Sequence, residues 1–417
     1  LGYHVPSSSP QPAFNERTLL LTLAAIQFTH IMDFMIMMPL GASLMRVFEI
    51  EPGQFSRLVA SYGLSAALTG FLAGFVLDRF DRRPVLLVLY AGFTLATLGC
   101  ALAPTYEWLM AARIAAGACG GVAGSVVGAM IGDAVPPERR GRASATVMAA
   151  FPLASVLGVP AGLFLATTFE WHAPFYLLAV ISAIVFAVAL RSLPHVPSHK
   201  TAAHPVRQMV DILTHRIHIR AFLLSAVLVF AGACVIPFMA PSMVANVGLS
   251  EQQLPLIYLV GGVCTFFTMP WFGRLADRHD KLYILAWVSL VAVATVLVVT
   301  RLGPGPLWIT LAATSVFFVT MSGRFAPAMA MVANAVEGKY RGGFMSVNSA
   351  IQQASSGLAN LVAGLLVTRG AAGQLVGYTH VGWLACGAFT LTVILAAWLR
   401  SAAPHAAKTP APVVPAL

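Results

Sequence analysis

Residues 74–87 read "GFVLDRFDRRPVLL", and the fold follows from the fact that the chain writes this loop twice. Residues 273–285 read "GRLADRHDKLYIL", so the pattern G-x-x-x-D-R-x-D-basic recurs at an offset of 199 positions. A second pair, "GDAVPPERRGRA" from Gly132 and "ANAVEGKYRGGF" from Ala333, recurs at an offset of 201. Two collinear matches at nearly one offset mark an internal duplication. The chain is expected to be two copies of one large unit in parallel repeat, the arrangement of a rocker built around a central site.

The surroundings of these loops say what is repeated. Of 417 residues, 58% are hydrophobic and 10% charged, against about 25% charged in an average soluble domain, and the mean hydropathy is +0.81. A helix needs about 20 apolar residues to cross a hydrocarbon core about 30 Å thick. Twelve such runs fall at approximately 18–43, 55–77, 85–104, 107–131, 143–167, 173–193, 220–245, 253–275, 282–300, 307–333, 344–367 and 378–399. The expected fold is therefore an all-α integral membrane protein, with twelve transmembrane helices in two six-helix bundles.

The division reads as a tail over 1–16, a bundle over 17–194, a linker over 195–218, a second bundle over 219–400 and a tail over 401–417. No cleavable signal peptide is expected, because the first apolar segment runs long and continues into a second hairpin. Little chain is left for an aqueous module. No Ser/His/Asp set, metal-ligand spacing or phosphate loop stands out, so an enzyme is not expected. Cys100, Cys119, Cys234, Cys264 and Cys386 fall in apolar runs without a C-x-x-C pair, which reads as packing.

The net charge of +10 is distributed unevenly. Arg46, Arg57, Arg301 and Arg369 fall on one side and Arg113 and Arg324 within the membrane, leaving 19 of the 25 Lys and Arg on the other side. By the positive-inside rule the basic side is cytoplasmic. Both termini are then inside, in a bacterial-type inner membrane, and the basicity reports topology with no need for nucleic acid. In the linker "LPHVPSHKTAAHPVRQMVDILTHRIHIR", residues 193–220, Val206, Met209, Val210 and Leu213 predict a short amphipathic helix on the inner leaflet. Its histidines His195, His199, His204, His215 and His218 define no ligand geometry.

On these residues the chain resembles the major facilitator superfamily over essentially its whole length. "GFVLDRFDRRPVL" is similar to the family's loop between helices 2 and 3, with Asp78, Arg79, Arg82 and Arg83 in place and Asp81 where Gly is usual. "LGVPAG", with Gly158, Pro160 and Gly162, resembles the Gly-Pro motif of the drug:proton antiporter branch, and "AARIAAG", with Arg113, its membrane Arg motif. "MDFMIMMPL" and "GVPAG" look closest to the arabinose-efflux-permease-like group of proton-coupled exporters. The resemblance implies that the loop is a conformational latch, built from Gly74, Asp78, Arg79, Arg82 and Arg83 and repeated at Asp277 and Arg278. Asp133 and Glu138 are candidate partners for its arginines. Such a latch is expected only when the inner ends of the halves are closed; anchoring of the topology by positive charge is the alternative. Gly158 and Gly162 lie on one face and admit a close neighbour, while Pro160 removes a helix hydrogen bond, so the motif reads as a hinge or seal, or as small-residue packing.

Asp33 in "FTHIMDFMIMMP", residues 28–39, is the one acid deep inside an apolar run. A central Asp costs about 2.5 to 3.5 kcal/mol on the lowest scales, so such residues face a cavity and have a task. At 100° per residue, Gln27, His30, Asp33 and Met37 share an arc of about 120° and form one polar stripe. Asp33 lies roughly 22 Å from the inner end of helix 1, and Arg113 is expected at the same height on helix 4. The pair is either a switchable proton-coupling device or a structural salt bridge. Desolvation and the guanidinium act on the carboxyl in opposite senses, so the sequence leaves the balance open. His30, one turn away, shares the proton or touches substrate. In the second half Arg324, near Pro327, favours an anionic or polar ligand, and Asn348, Gln352 and Ser355 line one face of helix 11, for substrate or for packing.

The leading expectation is a proton-coupled exporter of a small amphipathic molecule such as a drug, sugar or metabolite. It would work by alternating access, as a monomer, driven by a proton gradient without a cofactor. The cavity would be lined by Gln27, Phe28, Phe34, Met37, Arg324, Asn348 and Gln352. The alternative is uptake of a metabolite or of a soft metal such as Cu(I), for which Met35, Met37, Met38, Met239 and Met243 would supply thioethers.

Overall fold

The structure, a computed structural model, describes residues 15–75, 80–136, 139–194 and 205–407. The first half comprises α1 (Glu16–Ile36), α2 (Gly41–Val47), α3 (Pro52–Ala73), α4 (Arg82–Ala101), α5 (Tyr106–Ala134), α6 (Arg140–Met148), α7 (Ala150–Leu153), a π-helical turn (Ala154–Gly158), α8 (Val159–Thr168) and α9 (Ala173–Ser192). After the linker helix α10 (Pro205–Thr214), the second half comprises α11 (Arg216–Ala233), α12 (Ile236–Ala245), α13 (Leu254–Arg278), α14 (Lys281–Val299), α15 (Leu307–Asn334), α16 (Arg341–Leu366) and α17 (Tyr378–Ala402), with a last turn α18 (Pro404–Ala407). A two-residue hairpin of β1 (Thr368–Arg369) and β2 (Leu375–Val376) is the one departure from helix among these elements.

The ends and breaks follow from side chains. Asn15 caps α1 by accepting the Arg17 N–H at 3.0 Å, and Glu51 with Gln54 forms a capping box on α3. Three breaks fall at prolines. Pro39 has no N–H for the Met35 carbonyl, which accepts from Met38 at 3.4 Å instead, and the helix restarts as α2. Pro237 opens α12 after the break at Cys234 and Val235, 198 positions after Pro39, so the break is part of the repeat. Pro160 cannot serve Val156, and the turn before it widens into the π-helix.

Among the described residues, ten helical segments are long and apolar enough to cross a membrane. Pro52–Ala73 and Arg341–Leu366, also expected as spans, reach the length but are more polar. These two run against one another across the halves: a Cβ on Gly63 would stand 3.0 Å from the Gln353 carbonyl, and one on Gly357 would stand 3.2 Å from that of Ala60. Surface committed to a partner helix need not suit lipid.

Let the near end be the one carrying Glu16, the linker and Ala402, and the far end its opposite. At the far end one apolar core joins both halves, from Ile36, Leu44, Phe55 and Phe175 to Phe238, Met243, Ile257 and Val367. Towards the near end the halves keep separate cores, one around Leu23, Tyr90 and Met130, the other around Leu224, Met331 and Phe344. Among the described residues the halves thus close at the far end and part at the near end. The linker helix keeps part of its expected face, with Met209 buried and Leu213 packed on the same core, but Ile212 joins them while Val210 is 50% exposed. A partner surface at Gly74 and Gly343 takes Met209 and Ile212, so α10 packs on protein.

Candidate functional site

Asp33 on α1 and Arg113 on α5 meet inside the first half. Arg113 Nη1 donates to Asp33 Oδ2 at 2.6 Å and to the Asp33 carbonyl at 3.2 Å. That carbonyl is available because α1 stops at Ile36: the Met37 N–H bonds Met35. Arg113 therefore pairs with a charge and caps a helix end at once. Its other face lies over the Tyr62 ring of α3, with the guanidinium carbon 4.4 Å from the centroid. Both charged residues are sealed, Asp33 at 0% and Arg113 at 1% exposure.

Around the pair stands a ring of buried polar atoms without hydrogen-bond partners among the described residues: both nitrogens of His30, Asp33 Oδ1, the Tyr62 hydroxyl, Thr97 Oγ1 and Arg113 Nε. The His30 ring packs on Tyr62 and Phe93 at 5.9 and 6.1 Å between centroids. Glycines make the room. A side chain on Gly117 would collide with the Tyr62 carbonyl, and one on Gly120 with His30 and the Tyr62 hydroxyl. So many unsatisfied groups in one place cost free energy; they suit a site whose protons and partners change.

The other expected cavity residues scatter. Phe34 is half-buried with its ring 5.5 Å from Tyr62, and Gln27 and Phe28 are also half-buried. Met37 departs from expectation: it is 0% exposed, in the far-end core, because the break turns it away from the α1 stripe. Arg324 is 2% exposed, over Phe389 of α17 at 4.1 Å. Asn348 is buried with Oδ1 unpartnered; Gln352 is half-buried and donates only to Met329 Sδ at 3.6 Å; Ser355 ties α16 to the Ala226 carbonyl at 2.6 Å. Met239 and Met243 are both 0% exposed in the far-end core, among apolar side chains that leave them no opening to a metal.

Of the latch residues, Asp78, Arg79 and Glu138 lie outside the described residues. Arg82 Nε pairs with Asp133 Oδ2 at 3.1 Å, and Arg83 donates to the Leu190 carbonyl at 2.7 Å. Both links are internal to the first half and exist with the near ends apart. The expectation that the cluster forms only on near-end closure therefore does not hold for the Arg82–Asp133 pair, which joins α4 to α5 within the first half. In the second copy Asp277 and Arg278 are exposed, and Asp280 carries the contact, pairing with Arg400 at 2.8 Å. The Gly-Pro segment packs on α1: a Cβ on Gly158 would stand 3.1 Å from Met32, and one on Gly162 would press on Ile36. Its π turn also meets the second half, where Gly262 faces the Ser155 carbonyl.

Two features escaped the sequence reading. Tyr62 had no signal of its own, although the small residues at 117, 120 and 121 mark the α5 face that receives it. Arg46 and Glu251 join the halves at the far end through two bonds of 2.5 and 3.2 Å. They lie 205 positions apart, and no local pattern relates them.

The Major Facilitator Superfamily family model matches residues 23–231 and 221–416. The chain is 27% identical over 244 residues to the uncharacterized MFS-type transporter YceJ of Bacillus subtilis (strain 168), covering 57% of this chain and 62% of that protein. It is 25% identical over 315 residues to a chloramphenicol resistance protein of Streptomyces lividans, covering 70% and 80%. With a probable sugar efflux transporter of Mannheimia succiniciproducens it shares 21% identity over 60% of this chain and 62% of the relative. Among solved structures, a bacterial homolog of the human lysosomal transporter Spinster superposes with a TM-score of 0.74 at 14% identity, over 94% of this chain and 98% of that one. A D-xylose-proton symporter superposes at 0.73 and 16%, over 92% and 96%.

Proposed function

Because the chain belongs to the major facilitator superfamily, we propose that this secondary transporter is a proton-coupled exporter of small amphipathic molecules in the drug:proton antiporter branch. Asp33 is its protonation site. The observation that carries this reading is the Asp33–Arg113 pair, sealed from solvent on both sides with Thr97 beside the carboxyl. A buried pair is a poor source of stability but a natural switch, because a proton on Asp33 cancels the attraction that holds Arg113.

The pair is found formed while the near ends are apart. That is the state expected after a proton has left towards the near side. Protonation from the far side would leave Arg113 only the Asp33 carbonyl and the Tyr62 ring to hold it, and Tyr62 belongs to α3, the helix that meets α16 across the halves. Charge at Asp33 is thereby linked to the contact that must open. His30, one turn nearer the open end, passes the proton. The near end is then cytoplasmic, with both termini inside a bacterial-type inner membrane, and the transporter acts as a monomer without a bound cofactor. The names of the chloramphenicol resistance and sugar efflux relatives support export and an organic solute.

The test is transport into proteoliposomes under an imposed pH gradient, with chloramphenicol, a panel of sugars and benzoate as probes. Wild type should accumulate a probe only with the gradient. Asp33→Asn should lose that dependence while still exchanging probe down its own gradient. Gradient-driven accumulation at the wild-type rate in Asp33→Asn would sink the proposal.

A further inference from the structure

The membrane interior holds one carboxylate and two guanidiniums among the described residues, Asp33, Arg113 and Arg324. Asp33 is taken by Arg113 at 2.6 Å. Arg324 is left with the face of Phe389 and one weak bond, from Nη2 to Met321 Sδ at 3.5 Å, while Nε and Nη1 are buried without an acceptor. The acids of the second half, Glu251, Asp277, Asp280 and Glu337, all sit at helix ends or in loops. A sealed ion lacking a counter-charge costs several kcal/mol, which neither a ring face nor a thioether returns.

The surroundings of Arg324 are those of a ligand site. Its neighbour Cys234 lies in the break between α11 and α12, and Met321 packs on Gly232, two residues before Cys234. Discontinuous helices are where transporters of this architecture place bound groups. Tyr258 on α13 packs on Phe318, six residues before Arg324 on α15, and its buried hydroxyl has no partner among the described residues. The walls are otherwise apolar and aromatic. Nothing stronger than the Met321 contact fixes the guanidinium head, so it can turn to meet a ligand.

We infer that Arg324 is an anion site, and that the transported solute is a small amphipathic monoanion whose carboxylate or equivalent group bonds Arg324 while its apolar body lies against the aromatic walls. This rests on the reading of the chain as a transporter but not on Asp33 as its proton site. A Lys would supply charge without the planar set of donors, so Arg324→Lys should bind more weakly, not fail.

The experiment measures thermal unfolding and equilibrium binding of the full-length protein in nanodiscs, in chloride-free buffer. Benzoate is the probe and benzamide its neutral isostere. Benzoate should raise the melting temperature of wild type saturably, by a few degrees, and benzamide should not. Arg324→Gln should bind benzoate at least about tenfold more weakly. Without probe it should melt above wild type, because the substitution removes an unpaired charge; failure of that variant to fold counts against the inference. Binding is read at equilibrium without a pH gradient, so its failure is distinguishable from failure of the proton-coupling test. Equal shifts with benzamide, an unchanged response in Arg324→Gln, or no saturable effect in wild type would each overturn the assignment.

Discussion

Breaking the Asp33–Arg113 pair from either side should give unequal losses, and the inequality follows from which bonds each substitution removes. At an effective dielectric of 20, two unit charges 4 Å apart attract by about 4 kcal/mol, and desolvation offsets much of this in a sealed site. Asp33→Asn removes the charge but keeps an amide oxygen and leaves Arg113 bonded to the Asp33 carbonyl. Arg113→Met removes both bonds and the contact over Tyr62, uncapping the end of α1. An unsatisfied buried acceptor adds about 1 to 3 kcal/mol. Arg113→Met is therefore expected to lose about 3 to 5 kcal/mol, and Asp33→Asn about 1 to 3 kcal/mol less than that. In the double variant the loss should fall short of the sum by about 1.5 kcal/mol or more. Reversible unfolding of the four proteins in mixed micelles measures all three quantities. Additivity within about 0.3 kcal/mol, or Asp33→Asn being the worse single variant, would refute the description of the pair.

Three further outcomes are expected. Arg46 is 66% exposed and Glu251 18%, so their pair is worth about 0.2 to 1 kcal/mol; Arg46→Ala should shift the population towards far-end opening by up to about fivefold, and swapping the two residues should restore it, as read by spin-label distances between α2 and α13. Gly117→Ala should destabilise by about 1 to 3 kcal/mol and impair coupling, because the new methyl meets the Tyr62 carbonyl, whereas Gly128→Ala on the same helix enters open space and should be neutral or stabilising; equal effects in thermal unfolding would contradict the packing. Pro160→Ala should return the N–H that Val156 lacks, convert the π turn to α-helix, raise thermal stability and slow transport without weakening probe binding; unchanged turnover would remove the turn from the mechanism.

The halves and their spans were legible because lipid imposes its requirement on each helix separately, so composition and a repeated loop suffice. Pro52–Ala73 and Arg341–Leu366 show where that logic weakens: they are more polar because they answer to each other as well as to lipid. Asp33 and Arg113 were legible as a pair because depth in a bilayer can be counted along a helix. The same count failed for Met37, since a helical wheel presumes a continuous helix and Pro39 ends this one at Ile36. Tyr62, Arg46 and Glu251 were not legible because each acquires its meaning from a neighbour brought up by tertiary packing.

The two halves repeat a helix break and then diverge in what they place beside it. Below Pro39 the first half carries its own carboxylate, and Arg113 holds both that group and the carbonyl which the break sets free. Beside the break before Pro237 the second half carries Arg324 with no acid to meet it. If both breaks were merely hinges, neither guanidinium would need to be sealed in the membrane, where an unpaired one costs more than any packing residue of its size. The divergence assigns separate tasks. On the proposed reading one half keeps its counter-charge in the chain and would exchange it only for a proton, and the other would leave the counter-charge to be brought by the solute. On that reading a rocker with those two sites would sense proton and cargo in different halves, each beside a helix break.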